Sequence, residues 1–418
     1  MSLTTFWEYI SLGSTASARR VCHCSGGTTS ALVFDGTPQR PLLDVLNPYP
    51  GKPKLTFRAD GSFKLMVMSD LHMGENQDTD WGPEQDVNTT RVMRRVLKDE
   101  KPDYVAISGD LITGENTFAE NSTKYIDMIA LPLNEARVPF SSIHGNHDNQ
   151  INITHMAEIE RERKVAPLSY TRAAPKGVGG EQGPGNYWVP IYRSKRDSSP
   201  SLILWFFDSR GGITSNSTQQ NQIDLPDWVD ESVVPWMKSE LEKQEKAWGP
   251  STTRASLAFV HIPPHIVEAL QDGLNSTESP GLDEDNMGGG STQSTVRTDI
   301  FGSGRDGPFW SSLFTLPNLL SVVSGHDHGC EWCATASSSS TGSASAGASS
   351  VRFCFAKHTG YGGYGQHEWG YGVRLFEFVP QHKGIRALDN GMYSVKTWIR
   401  LEEGEVRAKM DLGAYKLH

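Results

Sequence analysis

Residues 63–72 read FKLMVMSDLH. A short apolar run ends abruptly in Asp70-Leu71-His72, which predicts a buried strand that stops at a carboxylate and an imidazole. The pattern returns four times. YVAIS at 104–108 ends in Gly109-Asp110, and FSSI at 140–143 leads to Gly145-Asn146-His147-Asp148. ASLAFV at 255–260 ends in His261, and LSVVS at 320–324 ends in Gly325-His326-Asp327-His328. Carboxylates, an amide oxygen and imidazoles suit Zn, Mn and Fe. One D-x-H means little. Five clusters in series, each behind an apolar run, describe a two-metal hydrolase.

Between the first strands, Val87–Leu97 has Val87, Val92, Met93, Val96 and Leu97 apolar and predicts an amphipathic helix. Lys124–Ala136 predicts a second, begun near Ser122, with Pro132 as a candidate kink. This β-α-β-α-β order puts the ligand types at the carboxyl ends of the strands, where open α/β sheets carry their sites. Further on, 202–207 reads as a strand and 235–248 as a helix. Strands predicted at Val351–Phe355, Val373–Phe378, Ser394–Arg400 and Val406–Met410 are expected to complete a second sheet packed on the first. Residues 1–50 read as an N-terminal arm or leader and 51–418 as one domain. Polar, Gly-rich 275–308 and Ser/Ala-rich 334–350 read as flexible insertions.

The chain has 418 residues, 37% of them hydrophobic, enough for a sizeable core. Its formal charge of −10 and lack of basic runs argue against nucleic acid as a partner. No apolar stretch approaches the roughly 20 residues of a membrane span. The opening residues lack the basic and apolar regions of a signal peptide. Against that, Asn88, Asn121, Asn152, Asn216 and Asn275 each begin an N-x-S/T sequon. The expectation is a secreted or vacuolar glycoprotein whose N-terminus is incomplete or atypical, and the alternative is a cytoplasmic protein with chance sequons. Cys330-x-x-Cys333 has no second C-x-x-C to complete a zinc site, so a disulfide from Cys330 or Cys333 to Cys354 is expected.

The ligand types divide into two sets. Asp110, at a sharp Gly turn, is the natural bridge. Asp70, His72 and His328 would complete one metal, and Asn146, His261 and His326 the other. Two cations at short range lower the pKa of a shared water and polarise a phosphoryl oxygen. His147 follows Asn146 and is free of that duty, so it reads as a general acid for the leaving group; a hydrogen bond to substrate is the alternative. Asp148 and Asp327 read as turn and supporting residues, His144 and His265 as structural. His358–Gly365, HTGYGGYG, reads either as a phosphate-approaching loop or as a glycine turn packed by aromatics. Asn186-Tyr187, behind a Gly-rich loop, poses the same choice.

D-x-H, G-D, G-N-H-D, a lone His and G-H-x-H, in this order, resemble the calcineurin-like metallophosphoesterase superfamily over about residues 55–380. KLTFRADGSFKLMVMSDLHMGE, GDLITGE, VSGHDHG and HTGYGGYG resemble more narrowly its fungal Dcr2-like and purple acid phosphatase-like phosphatases. The resemblance implies a four-layer α-β-β-α sandwich of two mixed sheets and a dinuclear centre. It also implies the ligand set above, with His147 as the catalytic histidine. Purple acid phosphatases carry an iron-binding Tyr three residues after the G-D aspartate; here Thr113 stands there, which leaves the metals open among Mn, Fe and Zn. The implied function is phosphomonoester hydrolysis on a phosphorylated small molecule or phosphoprotein. A phosphodiesterase or nucleotidase, and a non-catalytic metal- or phosphate-binding scaffold, are the competing readings.

Overall fold

Leu65 and Val67 fall on one face of β2 (Phe63–Met68) and Met66 and Met68 on the other, and all four are buried. A strand buried on both faces needs a layer on each side. The computed structural model describes residues 46–288, 290–295, 304–337, 350–381 and 391–417, and supplies those layers. A six-stranded sheet runs β13 (Val406–Lys416), β12 (Met392–Leu401), β11 (Gly372–Pro380), β2, β3 (Tyr104–Ser108), β4 (Phe140–Ile143). A seven-stranded sheet runs β1 (Leu55–Thr56), β5 (Tyr187–Tyr192), β6 (Leu202–Phe207), β7 (Ala255–Val260), β8 (Leu319–Ser324), β10 (Ser350–Phe355), β9 (Cys333–Ser337). Both sheets are mixed: β2, β3 and β4 are parallel and β11, β12 and β13 antiparallel in one, while in the other β6, β7, β8 and β10 are parallel and β5 and β9 pair antiparallel with β6 and β10.

Alternation sorts the cores. Leu65, Val67, Tyr104 and Ala106 meet Leu204, Phe206, Leu257 and Phe259 between the sheets. Met66, Met68, Val105 and Ile107 pack outward on α1 (Trp81–Glu100) and α2 (Lys124–Ala136). Trp205, Phe207, Ala258 and Val260 pack on α4 (Val233–Trp248), α5 (Ile266–Gln271) and α6 (Gly307–Leu313). α3 (His155–Val165) lies beside α2. The order is helices, sheet, sheet, helices. Pro132 sits inside α2, which continues to Ala136. Among the described residues no helix is long and apolar enough to cross a membrane.

The four C-terminal strands do not form one sheet, contrary to expectation. β10 runs parallel beside β8, while β11 runs antiparallel beside β2, with Arg374 opposite Val67. The reason is the exposed edge. β3 covers one edge of β2, and a fully buried strand cannot leave its other row of N–H and C=O groups unpaired. β9 corrects a second expectation: Cys333–Ser337 is a strand, not part of a flexible insertion, and Cys333 lies directly opposite Cys354. Those two form the disulfide, and Cys330 is a buried free thiol. The rest of that insertion, 338–349, lies outside the described residues, as do 296–303 and the first 45 residues of the expected arm. Tyr49 is buried against Tyr170 and donates to the Trp188 carbonyl.

The Cys333–Cys354 bond closes a loop of 21 residues. Reduction is expected to cost about 3 kcal/mol through the freed unfolded chain. Thermal unfolding with and without reductant measures this, and identical midpoints would contradict it.

Candidate metal centre

The parallel strands end on one rim, and there the backbone turns sharply. Asp70 (φ 54°), His72 (φ 46°), Asp110 (φ 48°) and His326 (φ 74°) all adopt left-handed conformations. Each costs of order 1–3 kcal/mol for a non-glycine residue and persists only where the surroundings fix it. Backbone bonds supply part of that fixing: Asp70 N–H donates to Gly109 O at 3.0 Å and His72 N–H to Asp110 O at 3.0 Å. Gly145 is glycine for space, since a Cβ there would lie 2.3 Å from Asp110 Oδ1 and 2.4 Å from His261 Cδ2.

The turns bring the predicted residues together in two groups. Asp70, His72 and His328 form one, and Asp110, His261 and His326 the other, with ligand atoms in each within 4.8 Å of one another. Asp110 touches both: its Oδ2 is 3.0 Å from His261 Nε2 and 3.7 Å from His72 Nε2. Asp70 Oδ1 lies 3.6 Å from His328 Nε2 and 4.0 Å from His261 Nδ1. His72 and His328 face each other Nε2 to Nε2 at 3.2 Å. β2, β3 and β4 deliver Asp70, His72, Asp110 and Asn146; β7 and β8 deliver His261, His326 and His328. Each sheet therefore supplies about half of the set.

Hydrogen bonds fix which nitrogens face inward. His261 Nδ1–H donates to Ser108 O at 2.8 Å and His328 Nδ1–H to Tyr364 O at 2.5 Å. Thr113 donates its hydroxyl to Glu75 Oε1 at 3.0 Å, so it accepts from His72 Nδ1–H at 2.9 Å. With Nδ1 engaged in all three rings, Nε2 is the nitrogen turned toward the centre, the arrangement a metal requires. Asn146 Oδ1 is buried without a hydrogen-bond partner, and so is His261 Nε2. Orphaned buried acceptors are costly unless something binds them. Burial pulls His72 and His326 down to about 3, so both rings are neutral. Burial would raise the Asp110 carboxyl, but His261 and His147 beside it outweigh that and hold it well below the usual range. Neutral imidazoles and ionised carboxylates are the forms that take a metal. The residues fit a pair of cations.

The neighbours of this set have other tasks. His147 N–H donates to Asp110 Oδ1 at 2.9 Å, and its ring Nδ1 lies 2.5 Å from Glu115 Oε1. Buried Asp148 accepts from the N–H groups of Gly145, Ile112 and Leu111 at 2.7, 2.9 and 3.2 Å, clamping two ligand-bearing turns together. His144 is buried and stacks on His155, which joins Asp208 to Gly145 O. His265 stands apart from the ligand set, its N–H bound to Asp306. In the HTGYGGYG loop, the N–H groups of Gly360, Tyr361 and Gly363 donate to Asp70 O, Thr89 Oγ1 and Glu75 Oε1. These donors are spent on the protein, which favours the packed-turn reading. His358 and Tyr364 stack on the two faces of His328, at 3.8 and 4.0 Å between centroids. Asn186 and Tyr187 bond to Gly183 O, Asp208 N–H and Ser142 O, and so are structural as well.

Sequence reading missed Glu75, Glu115 and the His155–Asp208 pair, and it placed Tyr364 in a candidate loop without its contact to His328. Glu75 and Glu115 end the motif stretches SDLHMGE and GDLITGE, the one signal that marked them.

The profile of the calcineurin-like phosphoesterase family matches residues 63–330. An Arabidopsis thaliana protein named "probable inactive purple acid phosphatase 14" is 29% identical over 373 residues, covering 84% of each chain. A second, "probable inactive purple acid phosphatase 29", is 27% identical over 86% of this chain and 88% of its own. Phosphatase DCR2 of Saccharomyces cerevisiae is 27% identical over 68% of this chain, a match that spans 47% of that protein. A solved dimetal phosphatase from Danio rerio aligns with 84% of this chain and 98% of its own, at 12% identity and a TM-score of 0.45.

Proposed function

The chain belongs to the calcineurin-like phosphoesterase family, and from that premise we propose that it is a metal-dependent phosphomonoesterase. Asp110 would be shared between two ions, and His147 would serve the leaving group. The observation that carries this reading is the pair of buried ligand groups meeting at Asp110, with the unpartnered Asn146 Oδ1 alongside.

Two bound cations would supply a water of lowered pKa and offset the charge of the phosphoryl oxygens. Asp70, His72 and His328 would hold one, and Asn146, His261 and His326 the other. Asp148 keeps the Asp110 and Asn146 turns in register through its three N–H contacts. His147 is anchored by its backbone to Asp110, and its Nδ1 is taken by Glu115. Its Nε2 is then the nitrogen left to hold a proton for the departing oxygen, the work of a general acid. Two plant relatives bear names that call them inactive. In this chain none of the seven ligand positions is replaced, which favours a working site over a scaffold.

The test is metal removal, reconstitution with Mn, Fe or Zn, and assay on p-nitrophenyl phosphate against bis-p-nitrophenyl phosphate. Faster turnover of the monoester is expected. Preference for the diester would move the assignment to a phosphodiesterase or nucleotidase. No turnover and no retained metal under any condition would return the scaffold reading.

A further inference from the structure

We propose that Glu115 is the positioning residue of His147 and thereby sets how poor a leaving group this site can expel. The inference rests on the reading of His147 given above. Its basis is a direct contact: Glu115 Oε1 lies 2.5 Å from His147 Nδ1. Glu115 sits in a single 3₁₀ turn, Gly114–Asn116, five residues beyond Asp110. That turn seats closely against the Asn146-His147 segment. A Cβ on Gly114 would lie 2.7 Å from His147 O and 2.6 Å from Ile153 Cγ2. Glycine is therefore what lets Glu115 reach the ring.

The backbone of His147 is fixed by its N–H bond to Asp110. The ring still has freedom about χ1 and χ2. It meets His72 edge to face at 5.0 Å between centroids, a contact that does not select a tautomer. The carboxylate instead fixes the orientation: as acceptor it holds a proton on Nδ1 and turns Nε2, the nitrogen that carries the proton to be transferred, the other way. The histidine of a Ser-His-Asp site is oriented by a carboxylate for the same physical reason. Here Glu115 is 39% and His147 29% exposed, so the pair adds little to folding. A solvated carboxylate that touches a part-exposed ring at its rear nitrogen matters chiefly to where that ring points.

The experiment uses the full-length, metal-loaded protein and compares E115Q and E115D with wild type. Two monoesters are assayed, p-nitrophenyl phosphate and glycerol 2-phosphate, because a general acid matters most when the departing oxygen is basic. In E115Q, kcat on glycerol 2-phosphate is expected to fall about 10- to 100-fold, the range for lost supporting contacts. On p-nitrophenyl phosphate it should change by less than about 3-fold, since that oxygen leaves with little help. KM, metal content and unfolding midpoint should hold, and E115D should recover part of the loss. Equal losses on both esters, or lost metal, would make Glu115 merely structural. No change on either would remove it from the site. Nitrogen-15 NMR of the His147 ring reads the pairing without turnover: in wild type the Nδ1 proton carries the signature of a hydrogen bond to a carboxylate, and in E115Q that signature is lost. The same Nδ1 signal in both would overturn the proposal. Should wild type hydrolyse no ester, the reading of the site fails while the NMR still decides the pairing.

Discussion

Asp110→Asn is expected to lower phosphoester turnover by about 10³-fold, the effect of losing ~4 kcal/mol of transition-state stabilisation. Asparagine keeps the size of the side chain and the oxygen that accepts the His147 N–H. It removes the charge that lies 3.0 Å from His261 and 3.7 Å from His72, on the border between the two groups. A shared anionic oxygen is lost, and two cations at short range would repel with less between them. Metal content should therefore fall with activity. Circular dichroism and thermal unfolding of the metal-free proteins separate this from misfolding. A variant that retains both ions and full turnover would sink the assignment.

His147→Gln should cut kcat on an alkyl phosphate by about 10²- to 10⁴-fold, the usual contribution of a positioned proton donor. The contrast with Asp110 lies in what survives. His147 is not in either ligand group, so metal content should stay at the wild-type level. Loss of metal along with activity would place His147 among the ligands instead. An unchanged kcat would leave it a bystander.

Most of the site was legible because ligand chemistry is local in sequence. D-x-H, G-D, G-N-H and G-H-x-H each sit within a few residues of a strand end, and apolar runs mark such strands well. The supporting contacts were not legible. Thr113 reaches His72 only because two neighbouring strands run in register, and Tyr364 reaches His328 from 36 residues away. The left-handed conformations at Asp70 and His72 carry no signal either, since no glycine adjoins them; at Asp110 and His326 the preceding glycine is the only hint of a turn. Among the elements, α3 escaped notice because its sequence, HMAEIERERKV, is mostly charged and shows only a thin apolar stripe. β5 was hidden by Pro190, a residue that argues against a strand unless its missing N–H faces an irregular edge. The division of the C-terminal strands between two sheets depends on which edges stay open. Periodicity along a strand says nothing about its neighbours.

The spread of the ligand set along the chain also has a consequence for biosynthesis. His72 and His328 are 256 residues apart, yet face each other across the centre. At translation rates of about 5–20 residues per second, the first emerges on the order of 10–50 s before the second. During that interval β2 has no β11 to cover its edge, and an unpaired apolar edge is the part of a nascent chain most open to misassociation. A complete ligand shell thus cannot be present early in synthesis. Both ligand groups can close around metal only after His328 has emerged, so loading follows the synthesis of most of the chain.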